Sequence, residues 1–434
     1  MAARQIKTHV KVRKLQRTLY LQAKTKPKWR AWSLYADLCR EVFIEEAMHR
    51  VLENKGKSGI DGYTVEQMKL EWNEFRDSLK LELLEKSYKP SPVKRVLIAK
   101  PDGGVRKLGI PTVKDRVVQT ILKLLIEPIF EADFHDESYG YRLQKRAQDA
   151  VDSIGKGIYN GMTVAIEADL SRYFDTIDHG RLMKLVSKRV SDGSILSLIK
   201  QFLRVPIVEV ESGGKKRVIP NKKGVPQGGV ISPLLANLFL DKLDHALNNL
   251  SPGDVKMIRY ADDFVILVRE GIEGIIYDRV KDWLENAGLT LNQLKTKITD
   301  TRKKGRPVFL GFELGEQRSI RTGGRYIHTR PSKQACQSYR DKIRAELNRS
   351  TTWRSHQSAI YKVNQITRGW AGYFHFGNST NSFGSLNFWL YERVRRWLCT
   401  KHRIRSRCNH EVFPNQRIRD LGLELLPTRA VEWS

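Results

Sequence analysis

Three aspartates carry the first chemical signal. Asp262 and Asp263 stand side by side in Arg259-Tyr260-Ala261-Asp262-Asp263, and an apolar run begins at once with Phe264-Val265-Ile266. Taken alone, an Asp-Asp pair between two apolar segments is a tight turn. A third carboxylate presented the same way changes its weight. Asp169 closes a segment in which Val164, Ile166, Ala168 and Leu170 alternate with Glu167 and Asp169, the period of a strand. Hard cations such as Mg²⁺ take oxygen ligands, usually one or two carboxylates plus substrate phosphates. Two such ions about 3.5–4 Å apart activate an attacking hydroxyl and stabilise a leaving pyrophosphate. Adjacent strand ends carrying Asp169 and Asp262 meet that need, with Asp263 as the less direct carboxylate.

The elements that must position these groups can be read around them. Residues 256–268 read as strand, tight turn, strand. Residues 93–111 read as a β-hairpin around the turn Pro101-Asp102-Gly103-Gly104. A helix is expected over about 115–130 and another over 234–247, the latter with Ser232 as N-cap and Pro233 at the first helical position. Asn54 to Tyr63 is a Gly-rich loop, after which Thr64 and Gln67 form a capping box. An N-terminal basic helix places Leu15, Leu19 and Gln22 on one face, with Arg13, Lys14, Arg17 and Lys24 elsewhere. From about Ser332 the pattern turns helical and stays so to about Lys401.

Charge sets the class of partner. The 434 residues hold 77 Lys and Arg against 48 Asp and Glu, a net +29, with a pI near 9.9. Solubility of a small domain needs a net charge of only ~2–8, so a polyanion partner is expected. Residues 316–434 hold 22 Lys and Arg against 8 Asp and Glu, nearly half the excess. Four scattered cysteines fit a reducing compartment. Neither a signal core nor a membrane-length apolar run is visible, so a cytoplasmic location without membrane contact is expected. Cys399, His402, Cys408 and His410 match no common zinc spacing, and zinc is not expected.

With these residues in view, the chain resembles the group II intron reverse transcriptases, or maturases. Tyr260-Ala261-Asp262-Asp263 fits the YxDD box of that family. Residues 168–179 (ADLSRYFDTIDH) look like the block with the first catalytic aspartate, and 224–244 (GVPQGGVISPLLANLFLDKLD) like the fifth block. LNQLKTKI, from Leu291, and Phe309 to Phe312 (FLGF) resemble the sixth and seventh. NKGKSGIDG and AKPDGGVRKLGIPTVKDRVVQ resemble the zero and first blocks, and Arg368 to Phe374 (RGWAGYF) the thumb signature. These blocks occur in order over about residues 10 to 400.

The resemblance implies an α+β right-hand polymerase, with an antiparallel palm sheet and a helical thumb. It divides the chain into a basic extension (1–54), fingers (55–160), palm (161–315), linker and thumb (316–400) and a short basic nucleic-acid-binding segment (401–434). It implies Asp169, Asp262 and Asp263 as catalytic metal ligands for two Mg²⁺ ions, with Mn²⁺ as a substitute. Lys100 and Arg106 would grip the incoming triphosphate. Phe174 would be the steric gate against a 2′-hydroxyl, Gln227 would line the nucleotide pocket, and Ala261 would leave room beside the base pair. Lys295 would contact template or primer phosphate, and Arg13, Lys14, Arg17 and Arg344 the RNA backbone. The implied partners are an RNA template, a DNA primer, dNTPs, group II intron RNA and target DNA. The implied function is RNA-directed DNA synthesis with assistance to intron splicing and mobility. Only 34 residues follow the thumb-like part, so the endonuclease of many relatives is not expected. Two rivals stand beside this reading. One is an intron-free cellular reverse transcriptase in host defence or a CRISPR-associated role, which flanking DNA would reveal. The other is an RNA-binding splicing factor with little polymerase activity, against which the three intact aspartates weigh.

Overall fold

Antiparallel pairing organises the centre of the molecule, a computed structural model that describes residues 8–99, 104–210, 215–303, 306–404 and 409–428. The palm is a four-stranded sheet. Val255–Tyr260 lies at one edge, then Asp263–Val268, Val164–Ala168 and Lys297–Asp300, all antiparallel. Its two central strands are apolar and buried, while the edge strand Lys297–Asp300 is polar and partly exposed. Helices Ala147–Tyr159, Ser232–Asn248 and Glu273–Ala287 pack around it.

A second sheet belongs to the fingers. Val93–Ala99 and Val105–Ile110 form the expected hairpin, with Ile98 opposite Arg106. Pro101 to Gly103 of its turn lie outside the described residues. Val93–Ala99 also pairs in parallel with Ile207–Val210, which carries Lys216–Ile219 at its other side. The following helix, Val113–Glu131, starts two residues before the expected point. Thr112 caps it by accepting from the Asp115 amide at 3.1 Å. The capping box at Thr64 and Gln67 forms as expected.

Two local expectations are corrected. Ile231, not Ser232, is the N-cap of Ser232–Asn248, and no side chain caps that helix. Ser232 is its first residue, and its hydroxyl donates instead to the Pro226 carbonyl at 2.8 Å. The helix end is thereby tied to the loop that carries Gln227. The helical stretch after Ser332 is not continuous. It divides into Lys333–Glu346, His356–Phe374 and Thr380–Lys401. A bundle needs such reversals to bring apolar faces together, and Tyr339, Trp370, Phe374 and Phe383 meet there as ring pairs. A small sheet of Val308–Phe309, Phe312–Arg318 and Arg325–Pro331 joins palm to thumb. Residues 409–428 pack Ile418, Leu423 and Leu426 onto the thumb helices.

Among the described residues, no helix is long and apolar enough to cross a membrane.

Candidate active site

The catalytic candidates sit on a two-residue turn. Tyr260 pairs with Asp263, leaving Ala261 and Asp262 as the turn's central residues. Ala261 has φ +63°, the left-handed region where a β-carbon costs roughly 1–2 kcal/mol. Such a turn matches the twist of a tight hairpin, and Ala is the smallest L residue that can fill it. Gly140 packs against it so closely that a β-carbon there would stand 2.3 Å from the Ala261 nitrogen.

Beneath the turn lies a network that sequence reasoning did not assign. Arg259 is wholly buried. Its Nε donates to Asp244 Oδ1 at 2.8 Å and one terminal nitrogen to Asp244 Oδ2 at 2.5 Å. That same nitrogen reaches Ser138 Oγ at 2.7 Å. The other terminal nitrogen donates to Asn237 Oδ1 at 2.9 Å and to the Ala261 carbonyl at 2.8 Å. Asn237 in turn donates to the Gly140 carbonyl at 2.7 Å. The guanidinium therefore holds the strained turn from below. The sequence signal was an arginine at an inward position of an apolar strand, which demands a buried acid.

Asp169 ends the neighbouring strand. Its carboxylate is 2.9 Å from Lys295 Nζ and 3.4 Å from Asn292 Nδ2. The Asp169 carbonyl accepts from the Asn292 amide at 2.8 Å, which fixes the 292–296 turn beside it. All three aspartates share one electrostatic neighbourhood. The Asp262 carboxyl is pushed up, first by burial and then by Asp169, against the pull of Arg106 and Arg259. Asp263 is pushed up to about 6 by burial, then by Asp262 and Asp169, against the pull of Lys295. Asp263 has exposed surface, yet the protein mass around its cleft limits its solvation. Tyr141, half exposed, is raised by burial and by Asp262, so it belongs to the same neighbourhood. Among the described residues, no three acidic, histidine or cysteine side chains converge at ligand spacing. Asp169 is instead turned to Lys295.

Two loops carry the remaining pocket candidates. Phe174 is half-buried and rests edge-on to the buried Tyr173, ring centroids 5.6 Å apart. The Phe174 carbonyl accepts from the Val225 amide at 2.7 Å. On the other side, Gln227 is laced to the finger hairpin through Gly109 N–H to Gln227 O at 2.5 Å. Gly228 makes this approach possible: its φ is +108°, and a β-carbon would meet Gly109 O at 2.2 Å. Gln227 lines a cleft of about 460 Å³ with Arg95, Lys107, Arg172, Lys222 and Lys223. Arg106 is exposed on the hairpin and acts on Asp262. Lys100, its expected companion, lies outside the described residues.

The remaining candidates are spread over the surface. Arg13, Lys14 and Arg17 are exposed on the helix Val10–Thr25, whose buried side is Val12, Leu19 and Ala23. Arg344 is exposed on the thumb, paired with Asp341 at 2.7 Å and 5.5 Å above the Trp389 ring. Neither group is part of the aspartate cleft.

Comparison with known proteins agrees with this arrangement. Residues 98–314 match the family of reverse transcriptases (RNA-dependent DNA polymerases). Residues 336–413 match the group II intron maturase-specific domain. Protein YkfC of Escherichia coli is 33% identical over 371 residues, covering 75% of this chain and 93% of its own length. The group II intron-encoded protein LtrA of Lactococcus lactis is 29% identical over 357 residues, 66% of this chain and 57% of that protein. A solved telomerase chain from Candida tropicalis superposes with a TM-score of 0.42 at 14% identity, over 56% of this chain and 58% of its own. An antiparallel palm with a YxDD turn, followed by a maturase-type helical thumb, thus has its counterpart in sequence, and the chain belongs to the reverse transcriptase (RNA-dependent DNA polymerase) family in its group II intron form.

Proposed function

We propose that Asp169, Asp262 and Asp263 form the nucleotidyl-transfer centre of this polymerase and hold divalent cations, Mg²⁺ with Mn²⁺ able to substitute. The observation that carries this reading is the placement of three carboxylates at two adjacent strand ends, Asp262 and Asp263 at the turn and Asp169 just past the neighbouring strand. The Asp169 charge helps push both turn carboxyls up. Their donor set fits: all are hard oxygen ligands, and a divalent cation would offset the burial and carboxylate repulsion that push Asp263 up to about 6. When bound, the ions supply acid chemistry at the primer 3′-hydroxyl and charge neutralisation at the triphosphate.

The chain's own residues do the rest. Arg106, with Lys100, presents cationic donors to the triphosphate. Phe174 walls the sugar side of the pocket, where a 2′-hydroxyl would clash. Gln227 and the small side chain of Ala261 shape the space for the nascent base pair. Lys295 holds Asp169 until substrate arrives, then offers its charge to nucleic-acid phosphate. Residues 55–160 serve as fingers, 161–315 as palm and 316–400 as linker and thumb.

Arg13, Lys14 and Arg17 supply phosphate contacts to a structured intron RNA, with Arg344 on the thumb and the basic segment 401–434. The RNA keeps its own splicing chemistry, the protein stabilises its active fold, and target DNA is engaged for mobility. The test has two arms. On a primed RNA template with dNTPs, cDNA should appear with Mg²⁺ and vanish with chelator; no product with any divalent cation overturns the polymerase assignment. The flanking intron RNA, if the gene has one, should bind far more tightly than an unrelated folded RNA at equal salt. Changing Arg13, Lys14 and Arg17 to Gln should flatten the log–log salt dependence by about two to three. Equal affinity for both RNAs, with no effect on splicing, removes the maturase role.

A further inference from the structure

The back of the palm carries a second concavity, and nothing in the polymerase reaction uses it. It lies between helix His179–Val186, helix Ser232–Asn248 and helix Glu273–Ala287, with a volume of about 470 Å³. Its floor is apolar: Phe239 is buried, and Leu185, Trp283 and Ala287 are half-buried. Its rim is cationic, formed by Arg181, Lys184, Lys188 and Lys242. Asn286 completes it, and no carboxylate lines it. Asp282 and Glu285 flank Trp283 in sequence but do not face the cleft.

Three features give this cleft a chemistry. Among the described residues, none of its four cations is paired with a carboxylate. Elsewhere around the palm, Arg189 pairs with Asp133, Lys256 with Glu137 and Arg259 with Asp244. Second, Lys188 and Lys242 stand on the same rim and repel each other. That is a like-charge contact whose cost an anion would remove, and Lys242 is held below its usual range, first by burial and then by Lys188. Third, the Arg181 guanidinium donates to the Asn286 carbonyl, fixing the rim across two helices. An apolar floor that includes a half-buried indole, inside a cationic rim, is the recognition chemistry of an unpaired nucleotide, with the base stacked and the phosphates ringed by cationic groups.

We propose that this cleft binds an unpaired nucleotide of the RNA held by the protein, outside the polymerase cleft. The inference rests on the RNA-binding reading above and adds a specific docking point to it. The occupant is RNA and not an acidic protein segment because the floor includes the Trp283 indole and the whole chain carries the charge of a polyanion binder.

The test uses the full chain with its polymerase cleft saturated by an RNA–DNA primer–template. The probe is a short oligouridine carrying 4-thiouridine, followed by fluorescence anisotropy and by photocrosslinking. The oligonucleotide should still bind, and the crosslink should map to Trp283 or Phe239. Trp283→Ala should weaken binding by about tenfold, the loss of one stacked base. Should Trp283→Ala not fold, the exposed pair Lys188→Gln and Lys242→Gln serves. It should lower the salt slope by about one to two without changing primer extension. Unchanged affinity in both variants, or a crosslink elsewhere, overturns the proposal. Equal competition by polyglutamate assigns the cleft to an acidic protein instead and also overturns it. Loss of all RNA binding by the unmodified chain fails the underlying RNA reading, a result distinct from either.

Discussion

Among the described residues two arginines keep 1% or less of their surface exposed, one in the palm and one in the thumb, and they do different things. Arg259 faces Asp244, a carboxylate as buried as itself, and also grips the Ala261 carbonyl of the strained turn. Arg395 faces Glu392, which keeps about a quarter of its surface in water. It reaches the Phe413 carbonyl at 2.9 Å and the Asn415 side chain, so it pins residues 409–428 to the last thumb helix. A buried ion pair contributes little net stability, because desolvation offsets the attraction, but it leaves a costly charge behind when one partner is removed. The palm therefore accepts a fully dry pair to fix the geometry of one strained turn. The thumb uses a half-wet pair to fasten a segment.

The comparison is broken most severely at Arg259. Arg259→Met strands Asp244 as a buried lone charge and should destabilise the fold by about 3–5 kcal/mol. It should also slow primer extension by on the order of 100-fold, because the turn loses its brace. Thermal denaturation and single-turnover extension read the two effects separately. Adding Asp244→Leu should recover most of the stability and little of the rate. Full recovery of rate in the double variant would make Arg259 a packing residue only.

Phe174→Val should open the sugar side of the pocket. Discrimination against ribonucleotides should fall by about tenfold with a smaller loss in dNTP use, as expected for one lost steric contact. Competition between rNTP and dNTP at a single template position measures it, and an unchanged ratio would leave Phe174 as a core aromatic. Arg395→Met should cost less than the palm change, about 1–3 kcal/mol, since Glu392 can rehydrate. The expected signature is faster proteolysis within 409–428 with extension on short templates preserved. A large loss of extension would erase the contrast between the two regions.

The smallest effect is a gain. Asp241, behind the Arg259 pair, is pushed up to about 6 by burial, with Asp244 adding to the push. A carboxyl raised above its unfolded value contributes stability that is full below about pH 4 and is lost as pH rises through about 6. Asp241→Asn should therefore stabilise the protein by on the order of 1–3 kcal/mol above pH 7 and not at pH 4. Melting curves at the two pH values decide it.

Elements with a local signature were legible in the sequence. The strand–turn–strand at Tyr260 to Asp263, the finger hairpin and the Thr64 capping box follow from patterns within a few residues. The three aspartates were read as a set because Asp169 closes an alternating segment and the Asp262-Asp263 pair stands between two apolar ones. What could not be read was tertiary. The partners of Arg259 lie 15, 22 and 121 residues away in sequence, and no local period marks them. Ser232 carried a sound capping signal, but its hydroxyl is drawn to Pro226, a loop contact that only the folded chain creates. The thumb's breaks had a local signal that was passed over, the Asn348-Arg349-Ser350-Thr351 and Gly377-Asn378-Ser379 turn formers.

The central claim is that nucleotidyl transfer depends on the turn aspartates while RNA is held elsewhere. Asp262→Ala tests it most directly, with cDNA synthesis on a primed RNA template and RNA affinity measured on the same preparation. The account predicts loss of synthesis with RNA affinity retained at matched salt. Substantial synthesis by this variant would contradict it.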